Sequence, residues 1–372
     1  MFIVIGYYNV TIEVEMKKNN IKGKKATIYD IAAEVGTSTA TVSRVLSNSG
    51  YPVKDGLRRK ILAAAKNMNY STNMVGRMLK KSGSRDIGVI IPTISNPFYP
   101  QMVLGIELEA RQKGYNILLC NSFRDAKAEK KYIESLYQKQ VKGLIISSID
   151  KNHMFLKEMQ KNGVKIVVFD QSIDDLKCSK VGFDFVKGGM LAVEHLIDMG
   201  HRNIAFLTSP LTRRSRKEIY EGYRLTLLKN SIEPRHENVI ITEYEEESRT
   251  GTYEFESGKR LGKRYLELSE RPTAIFAIND MTAFGIMQEL LDNGVKIPED
   301  VSIVGFDNIE VSSMINPSLT TVNQPSFETG RLACKLLLDS MDSDEANDVS
   351  ITLDPSLVVR KSVERKTTSD GQ

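Results

Sequence analysis

Residues 26–81 read ATIYDIAAEVGTSTATVSRVLSNSGYPVKDGLRRKILAAAKNMNYSTNMVGRMLKK, and this stretch decides how the chain folds at its head. Thr27 is suited to cap a short helix, and Asp30 follows three residues later, which is the spacing of a capping box. Ile31, Ala32 and Val35 then give this helix an apolar stripe, and a glycine ends it. The pattern predicts a short first helix that buries one face.

A second and a third helix follow at once. Thr37 and Ser38 offer an N-cap for a helix over Thr39–Ser47, in which two valines face inward. Lys54–Met68 then supplies a basic helix that can pack behind the other two. The set predicts a helix-turn-helix unit, whose second helix lies in the DNA major groove with its first residues at the base edges.

The charge of the chain is concentrated near this unit. The whole chain of 372 residues has a formal net charge of +4, but residues 17–85 alone hold 15 Lys and Arg against 3 Asp and Glu. A basic head on a mildly acidic body is typical of a protein whose head alone meets a polyanion. The alternative is a basic, solvated face without a partner.

An ordered set of short motifs carries a family resemblance. TIYDIA occupies Thr27–Ala32, TVSRVL occupies Thr41–Leu46, and NY at Asn69–Tyr70 precedes NMVGRML at Asn73–Leu79. IGVIIP follows at Ile87–Pro92. From about residue 27 to about residue 363 the chain resembles LacI/GalR-type transcription regulators, the family of the lac and purine repressors.

The resemblance implies roles for residues of the head. Thr39 and Ala40 occupy the two specificity positions, and Arg44 reaches a guanine, which arginine can bind through two hydrogen bonds. The hinge begins at Asn73, which is expected to contact DNA, and its Leu79 is implied to wedge between central base pairs of the minor groove. Phosphate contacts are expected from the hydroxyl-bearing residues Thr27, Tyr29, Ser38 and Ser43. The alternatives are plain helix surface for Thr39 and Ala40, and a phosphate contact for Arg44.

Three departures from the family pattern bear on these roles. Gly76 stands where the family usually has alanine, and Thr72 where a proline often precedes the hinge, so we expect a hinge that folds only on DNA. Lys54 replaces the usual cap of the third helix, so the cap is either lost or moved to Asp55.

Beyond the head, apolar runs alternate with amphipathic stretches in two series, which predicts two doubly wound lobes. The fold expected is therefore an α/β, periplasmic-binding-protein-like effector core of two parallel-sheet lobes, with an N-terminal all-α helix-turn-helix domain.

The domains expected are an N-terminal extension at 1–24, the helix-turn-helix at 25–72, a hinge helix and linker at 73–85, and the core at 86–372. Strands are predicted at 87–92, 116–122, 143–149, 165–171, 203–209, 238–244, 274–280 and 301–307, and helices at 99–114, 126–140, 152–163, 185–200, 217–230, 251–267 and 281–294. The chain is expected to cross between the lobes near 184–189, 316–324 and 353–358.

Polar and aromatic residues follow the predicted strands, where the cleft between such lobes should lie. By resemblance, Phe98 and Tyr99 stack on an effector ring, and Asn279 and Asp307 bind sugar hydroxyls. Ile219 departs from the arginine that many sugar-responsive members have there, while the nearby cluster of Arg213, Arg214 and Arg216 suits a phosphorylated or acidic effector. That cluster is equally compatible with a solvated loop. The effector-binding residues expected are Phe98, Tyr99, Ser147, Asp170, Asp184, Arg213, Asn279 and Asp307; helix capping or turn closure is the alternative for several.

The function expected is that of a sequence-specific transcriptional regulator, a repressor that binds a pseudo-palindromic DNA operator as a homodimer under control of a sugar, sugar phosphate or related metabolite. The resemblance leaves open a phosphoprotein co-regulator. The alternative function is that of a solute-binding protein without DNA function. We find no catalytic motif and expect no enzyme activity.

Other features exclude whole classes of protein. Cys120, Cys178 and Cys334 lack zinc or disulfide spacing, and the four histidines lack ligand spacing, so we expect no metal and no cofactor. No run approaches the length of a membrane span, and the apolar start lacks the features of a signal peptide, which favours a cytoplasmic location. Residues 1–15 are interpreted as an over-extended gene start, with Met16 as the natural one; a real N-terminal arm is the alternative.

Overall fold

The computed structural model describes residues 26–46, 51–68, 70, 85–150, 152–170, 173, 176–242, 253–342 and 348–366. The chain divides into two compact units between residues 82 and 83. The expected hinge residues Asn73 and Leu79, and the extension over residues 1–24, lie outside the described residues. No helix within the described ranges is both long and apolar enough to cross a bilayer.

The first unit contains three helices: α1 (Ile28–Val35), α2 (Thr39–Leu46) and α3 (Asp55–Asn67). Their buried faces form one small core. The first helix has the predicted capping box, and Gly36 ends it in the left-handed conformation at φ 67°. Helix α3 receives no side-chain cap at Lys54, and Asp55 is its first residue rather than its cap. The cap is therefore lost, not moved. The core of the three helices consists of Ile31, Ala32, Val42, Val45, Ile61, Ala64 and Ala65.

The second unit holds two lobes, each built on a six-stranded sheet. The first lobe has strand order β11-β5-β4-β3-β1-β2, and every pair in it is parallel. Its helices cover both faces of the sheet, two to each face, as the doubly wound prediction requires. The strands are β1 (Asp86–Ile91), β2 (Asn116–Asn121), β3 (Gly143–Ile146), β4 (Lys165–Phe169), β5 (Ser179–Phe183) and β11 (Ser350–Leu353), and the helices are α4 (Phe98–Gln112), α5 (Ala126–Gln138), α6 (Met154–Lys161) and α11 (Ser326–Asp342).

The second lobe repeats this plan with strand order β12-β10-β9-β8-β6-β7. All its pairs are parallel except β10 with β12, which is antiparallel. Four helices again cover its two faces. The strands are β6 (Ile204–Thr208), β7 (Val239–Ile241), β8 (Ala274–Ala277), β9 (Ser302–Asp307), β10 (Thr320–Asn323) and β12 (Ser356–Val358), and the helices are α7 (Phe185–Asp198), α8 (Arg214–Lys229), α9 (Tyr253–Leu266) and α10 (Asp280–Asp292).

The chain crosses between the lobes three times, as expected. It leaves the first lobe after β5 at Asp184, returns after β10 at Gln324 and Pro325, and leaves again between β11 and β12 at residues 354–355. The strands that lead into the crossings, β5, β10 and β11, lie at or next to the β11 edge of the first sheet and the β12 edge of the second, so the three crossings form one hinge.

Several elements differ from those that the sequence predicts. The patterns predict none of β5, β10, β11 and β12, because polar residues interrupt their apolar runs, whereas the equally short β3 and β8 are continuously apolar. Helix α11 is likewise not predicted. Helix α8 begins at Arg214 rather than Lys217, and an ion pair of 2.5 Å between Arg214 Nε and Glu218 Oε1 supports this extra turn.

Candidate functional site

Side-chain capping fixes the N-terminal ends of α1 and α2. The backbone N–H of Thr27 donates to Asp30 Oδ2 at 2.7 Å, and the N–H of Asp30 donates to Thr27 Oγ1 at 3.4 Å. Ser38 caps the second helix, because its Oγ accepts from the N–H of Thr41 at 3.2 Å. The hydroxyls of Thr27 and Ser38, both predicted to contact phosphate, therefore also hold the local fold.

The outer face of α2 presents three of the predicted DNA-reading residues. Ala40, Ser43 and Arg44 are exposed, and Thr39 is half-buried. The guanidinium of Arg44 lies 4.2 Å from the centre of the Tyr51 ring, a cation–π contact that orients it. Tyr29 on α1 is 70% exposed, so its hydroxyl is accessible as well.

A cavity of about 60 Å³ lies between the two lobes of the second unit, where loops from both sheets meet. Six of the eight predicted effector residues line it. Phe98 and Tyr99 start helix α4 and pack edge to face, with ring centres 5.1 Å apart. The Tyr99 hydroxyl donates to Asp170 Oδ2 at 3.4 Å, and burial raises the pKa of Tyr99, so the phenol remains a neutral donor. The six are Phe98, Tyr99, Asp170, Arg213, Asn279 and Asp307.

The carboxylates of this pocket stand on strained backbone. Asp170 in the first lobe has φ 60°, and Asp307 in the second has φ 113°, a region that favours glycine. Such strain persists where the surroundings hold it, and it clusters at ligand sites. Burial, and next the repulsion from Asp280 and Glu254, raise the pKa of Asp307 well above its usual range. A carboxyl oxygen accepts hydrogen bonds in either protonation state, and a protonated carboxyl also donates one, so the pocket suits a ligand that carries hydroxyl groups.

The cationic side of the pocket comes from the start of α8. Arg213 and Arg216 line the cavity, and Arg216 is buried, with Nη1 donating to the Pro210 carbonyl at 3.0 Å. Ile219 lines the cavity one turn further along. Ile219, which stands where many sugar-responsive members have an arginine, therefore lies inside the pocket.

Two predicted effector residues lie elsewhere. Ser147 does not line this cavity; it is buried, and its hydroxyl donates to Asp170 Oδ2 at 3.4 Å, so it positions that carboxylate. Asp184 caps helix α7 by accepting from the N–H of Lys187 at 2.9 Å. It lines a neighbouring cavity of about 420 Å³ on the hinge side.

Sequence reasoning missed the polar contact that joins the lobes across the pocket. Arg124 Nη2 of the first lobe meets Glu254 Oε1 of the second at 2.5 Å, and Asn96 Nδ2 donates to Glu254 Oε2 at 2.8 Å. Arg124 follows β2 directly, so its place at the carboxyl end of a predicted strand was a usable signal. Glu254 follows a polar run in the sequence, and nothing in that run indicated its role.

Metal chemistry has no support in this part of the molecule. Among the described residues, no group of three or more His, Cys, Asp or Glu side chains has an arrangement that could hold a metal ion. Burial raises the pKa of the Cys178 thiol to about 11, so it is not a reactive thiolate at neutral pH.

Comparison with known proteins identifies both units. The model for bacterial regulatory proteins of the lacI family matches residues 27–73, and the model for a periplasmic binding protein-like domain matches residues 193–363. A LacI family transcriptional regulator from Enterococcus faecium, solved with bound ribose, is 31% identical with a TM-score of 0.68, over 76% of this chain and 100% of that one. The chain belongs to the LacI family.

Two further relatives agree with this assignment. Catabolite control protein A of Priestia megaterium is 34% identical to this LacI-family chain over 337 residues, which are 90% of this chain and 98% of the relative. The lac repressor dimer, solved with operator and the anti-inducer ONPF, is 29% identical with a TM-score of 0.77, over 92% of this chain and 100% of that one. The predictions of a DNA-binding transcriptional regulator, and of a protein that is not an enzyme, are confirmed.

Proposed function

We propose that this regulator is a repressor that binds a two-fold operator as a homodimer, and that a small molecule in the interlobe pocket controls it. The observation that carries the proposal is the pocket itself, because its aromatic, carboxylate and arginine side chains come from both lobes. A ligand that contacts both lobes has a different affinity for the open and closed arrangements. That difference is the free energy available to change DNA binding.

We propose a polyhydroxyl effector that carries an anionic group. Asp170 and Asp307 supply acceptors for hydroxyls, while Arg213 and Arg216 supply donors suited to a phosphate or carboxylate. The relative from Enterococcus faecium was solved with ribose. In this chain Ile219 stands in the pocket where many sugar-responsive members have an arginine, so a free sugar lacks that donor, and the donors present, Arg213 and Arg216, suit an anionic group.

Thermal unfolding with a panel of free sugars, sugar phosphates and nucleobases tests this assignment. A ligand at about 100 times its dissociation constant stabilises the protein by about 2.7 kcal/mol, which shifts the unfolding midpoint visibly. We expect sugar phosphates to shift it and the matching free sugars not to. A shift with free sugars alone would contradict the anionic class, and an unresponsive panel would contradict the polyhydroxyl class as a whole.

On DNA, we propose that Thr39 and Ala40 meet base edges, that Arg44 reads a guanine, and that Thr27, Tyr29, Ser38 and Ser43 position the unit on phosphates. We further propose that the hinge beginning at Asn73 inserts Leu79 into a central pyrimidine–purine step. An apolar wedge acts by kinking the duplex, so Leu79→Ala should weaken binding to the operator far more than to random DNA. Equal losses on both would contradict the wedge.

The homodimer is proposed to form through an apolar face of the first lobe. Five large apolar side chains are exposed around edge strand β2 and helix α4, more than isolated surface residues account for. A two-fold interface uses the same patch on both subunits. Leu108→Lys should therefore dissociate the dimer in sedimentation experiments, while Leu228→Lys on α8 should not. The face consists of Ile94, Leu104, Leu108, Leu119 and Phe123.

A further inference from the structure

Arg124 and Asn96 of the first lobe and Glu254 of the second form a buried polar contact that joins the two lobes. The carboxylate of Glu254 receives the Arg124 guanidinium at 2.5 Å and the Asn96 amide at 2.8 Å. The Asn96 amide is itself oriented, because its Oδ1 accepts from the N–H of Phe98 at 3.0 Å. The side chains of Arg124 and Glu254 are only 6% and 10% exposed. Water therefore screens this pair little, and its attraction is stronger than that of a surface pair.

The contact lies at the edge of the cleft that is opposite the three chain crossings. All three chain crossings lie at the β5/β11 edge of the first sheet and the β10/β12 edge of the second. Arg124 follows β2 and Glu254 begins the helix after β7, which are the strands at the opposite edges. The contact is therefore at the mouth of the cleft, furthest from the hinge. Because rotation about the crossings separates the lobes most at this edge, a bond here opposes opening more strongly than a bond near the crossings.

The local backbone is built to hold both partners in place. Phe123 and Arg124 have φ of 51° and 56°, two consecutive left-handed residues that are not glycine. The N–H of Arg124 donates to the Pro92 carbonyl at 2.9 Å, which fixes this turn. On the other lobe, Glu254 lies in the first turn of α9, where the helix dipole favours a carboxylate, and the Tyr253 ring lies 5.7 Å from the Arg124 guanidinium.

We propose that Asn96, Arg124 and Glu254 form an interlobe latch that stabilises the closed arrangement of the cleft. The cavity behind the latch is lined by residues of both lobes, so separating the lobes at the latch widens it. The latch therefore sets how much of the protein is in the open arrangement at any moment. An effector that keeps the latch open would need to recover the free energy of the broken contact through its own contacts with both lobes.

Distance measurement between two spin labels in the ligand-free full chain tests the latch. Lys130 on α5 and Arg260 on α9 are exposed, one on each lobe, and each would be replaced by cysteine in a Cys120→Ser background. Labelled subunits would be diluted with unlabelled ones. We expect a single short distance with the latch intact. Glu254→Gln or Arg124→Met should shift the closed-to-open ratio by about tenfold or more, a change that corresponds to 1.4 kcal/mol.

Matched variants make the result decisive. Glu221→Gln breaks an exposed pair with Arg224 inside α8 and should leave the distances unchanged. Arg124→Glu combined with Glu254→Arg should restore the short distance, and the milder Arg124→Lys replaces any variant that does not fold. Folded latch variants with the same distances as the unmodified protein would overturn the proposal. Because neither DNA nor effector is present, this result is independent of the proposed function.

Discussion

Arg44 is the residue that we propose to read the DNA sequence most directly. It projects from the exposed face of α2, and its contact with Tyr51 limits the directions in which the guanidinium can point. If it binds a guanine through two hydrogen bonds, Arg44→Ala should cost about 1–3 kcal/mol of binding and relax preference at one base pair of each half-site. Competition binding against operators changed at single positions measures this.

Tyr29→Phe is the control for that experiment. Tyr29 is expected to contact phosphate, so its hydroxyl contributes to binding of every sequence alike. The phenylalanine variant should weaken all operators by a similar factor. If Arg44→Ala behaves in the same way, Arg44 contacts phosphate and does not read a base.

Asp280 has a structural role that gives it an unusual pH dependence. It is buried and accepts hydrogen bonds from the N–H of Ile309 and the hydroxyls of Ser312 and Thr321, yet burial raises its pKa from 3.8 to about 6. The folded state therefore binds a proton more readily than the unfolded state. The stability from this group is fully present below about pH 4 and is lost as the pH rises through 6.

Asp280→Asn isolates this effect. The variant should lose about 2 kcal/mol more stability, relative to the unmodified protein, at pH 4 than at pH 7. Chemical unfolding of both proteins at the two pH values measures the difference. A loss that does not change with pH would contradict the raised pKa.

At the residue scale, local chemistry was readable from the sequence and long-range pairing was not. The capping box of Thr27 and Asp30 needs only three residues of spacing, and the structure shows it as predicted. Arg124 and Glu254 are 130 residues apart, so only the completed fold brings them together.

At the scale of elements, the helices of the core pack through pairs of glycines. Gly189 and Gly222 face each other between α7 and α8, and a Cβ on Gly222 would lie 2.2 Å from the Val186 carbonyl oxygen. The pairs α9 with α10 and α4 with α11 approach equally closely, through Gly258 with Gly285 and through Gly105 and Gly330. The contact between Gly189 and Gly222 fixes the position of α8, and therefore the positions of Arg216 and Ile219 in the pocket.

Gly222→Ala tests this packing. The added methyl group cannot be accommodated without separating two helices, so we expect a loss of about 2–4 kcal/mol in the free energy of unfolding. Gly56→Ala in α3 meets nothing within 4 Å and should instead be neutral or stabilising by up to about 1 kcal/mol. Urea unfolding measures both, and a Gly222→Ala protein of unchanged stability would contradict the close approach.

Strands that are continuous apolar runs were predictable as elements, and strands whose apolar residues alternate with polar ones were not. Ile87–Ile91 and Leu144–Ile146 are nearly continuous apolar runs because parallel strands are covered on both faces. The short strands β5, β11 and β12 alternate or expose their side chains, and they exist because a neighbouring strand offers hydrogen bonds. Their own residues carry little signal.

At the scale of the whole molecule, a DNA-binding unit precedes a two-lobed core along the chain, and the proposed latch lies at the edge of the cleft opposite the interlobe hinge. The order of the motifs along the chain predicted both units, because each is built from contiguous stretches. The interlobe hinge is formed by three crossings that are far apart in the sequence. They were expected from the family resemblance, because the strands that flank them were not predicted.

Selection of binding sites from random duplex DNA tests the central claim most directly. The selected sequence and a scrambled duplex would then be compared at two salt concentrations. We predict an enriched two-fold pseudo-palindrome that is bound at least about 10³-fold more tightly than the scrambled duplex, with affinity for both falling as salt rises. Selection without an enriched sequence, or equal affinity for the two duplexes, would contradict the account.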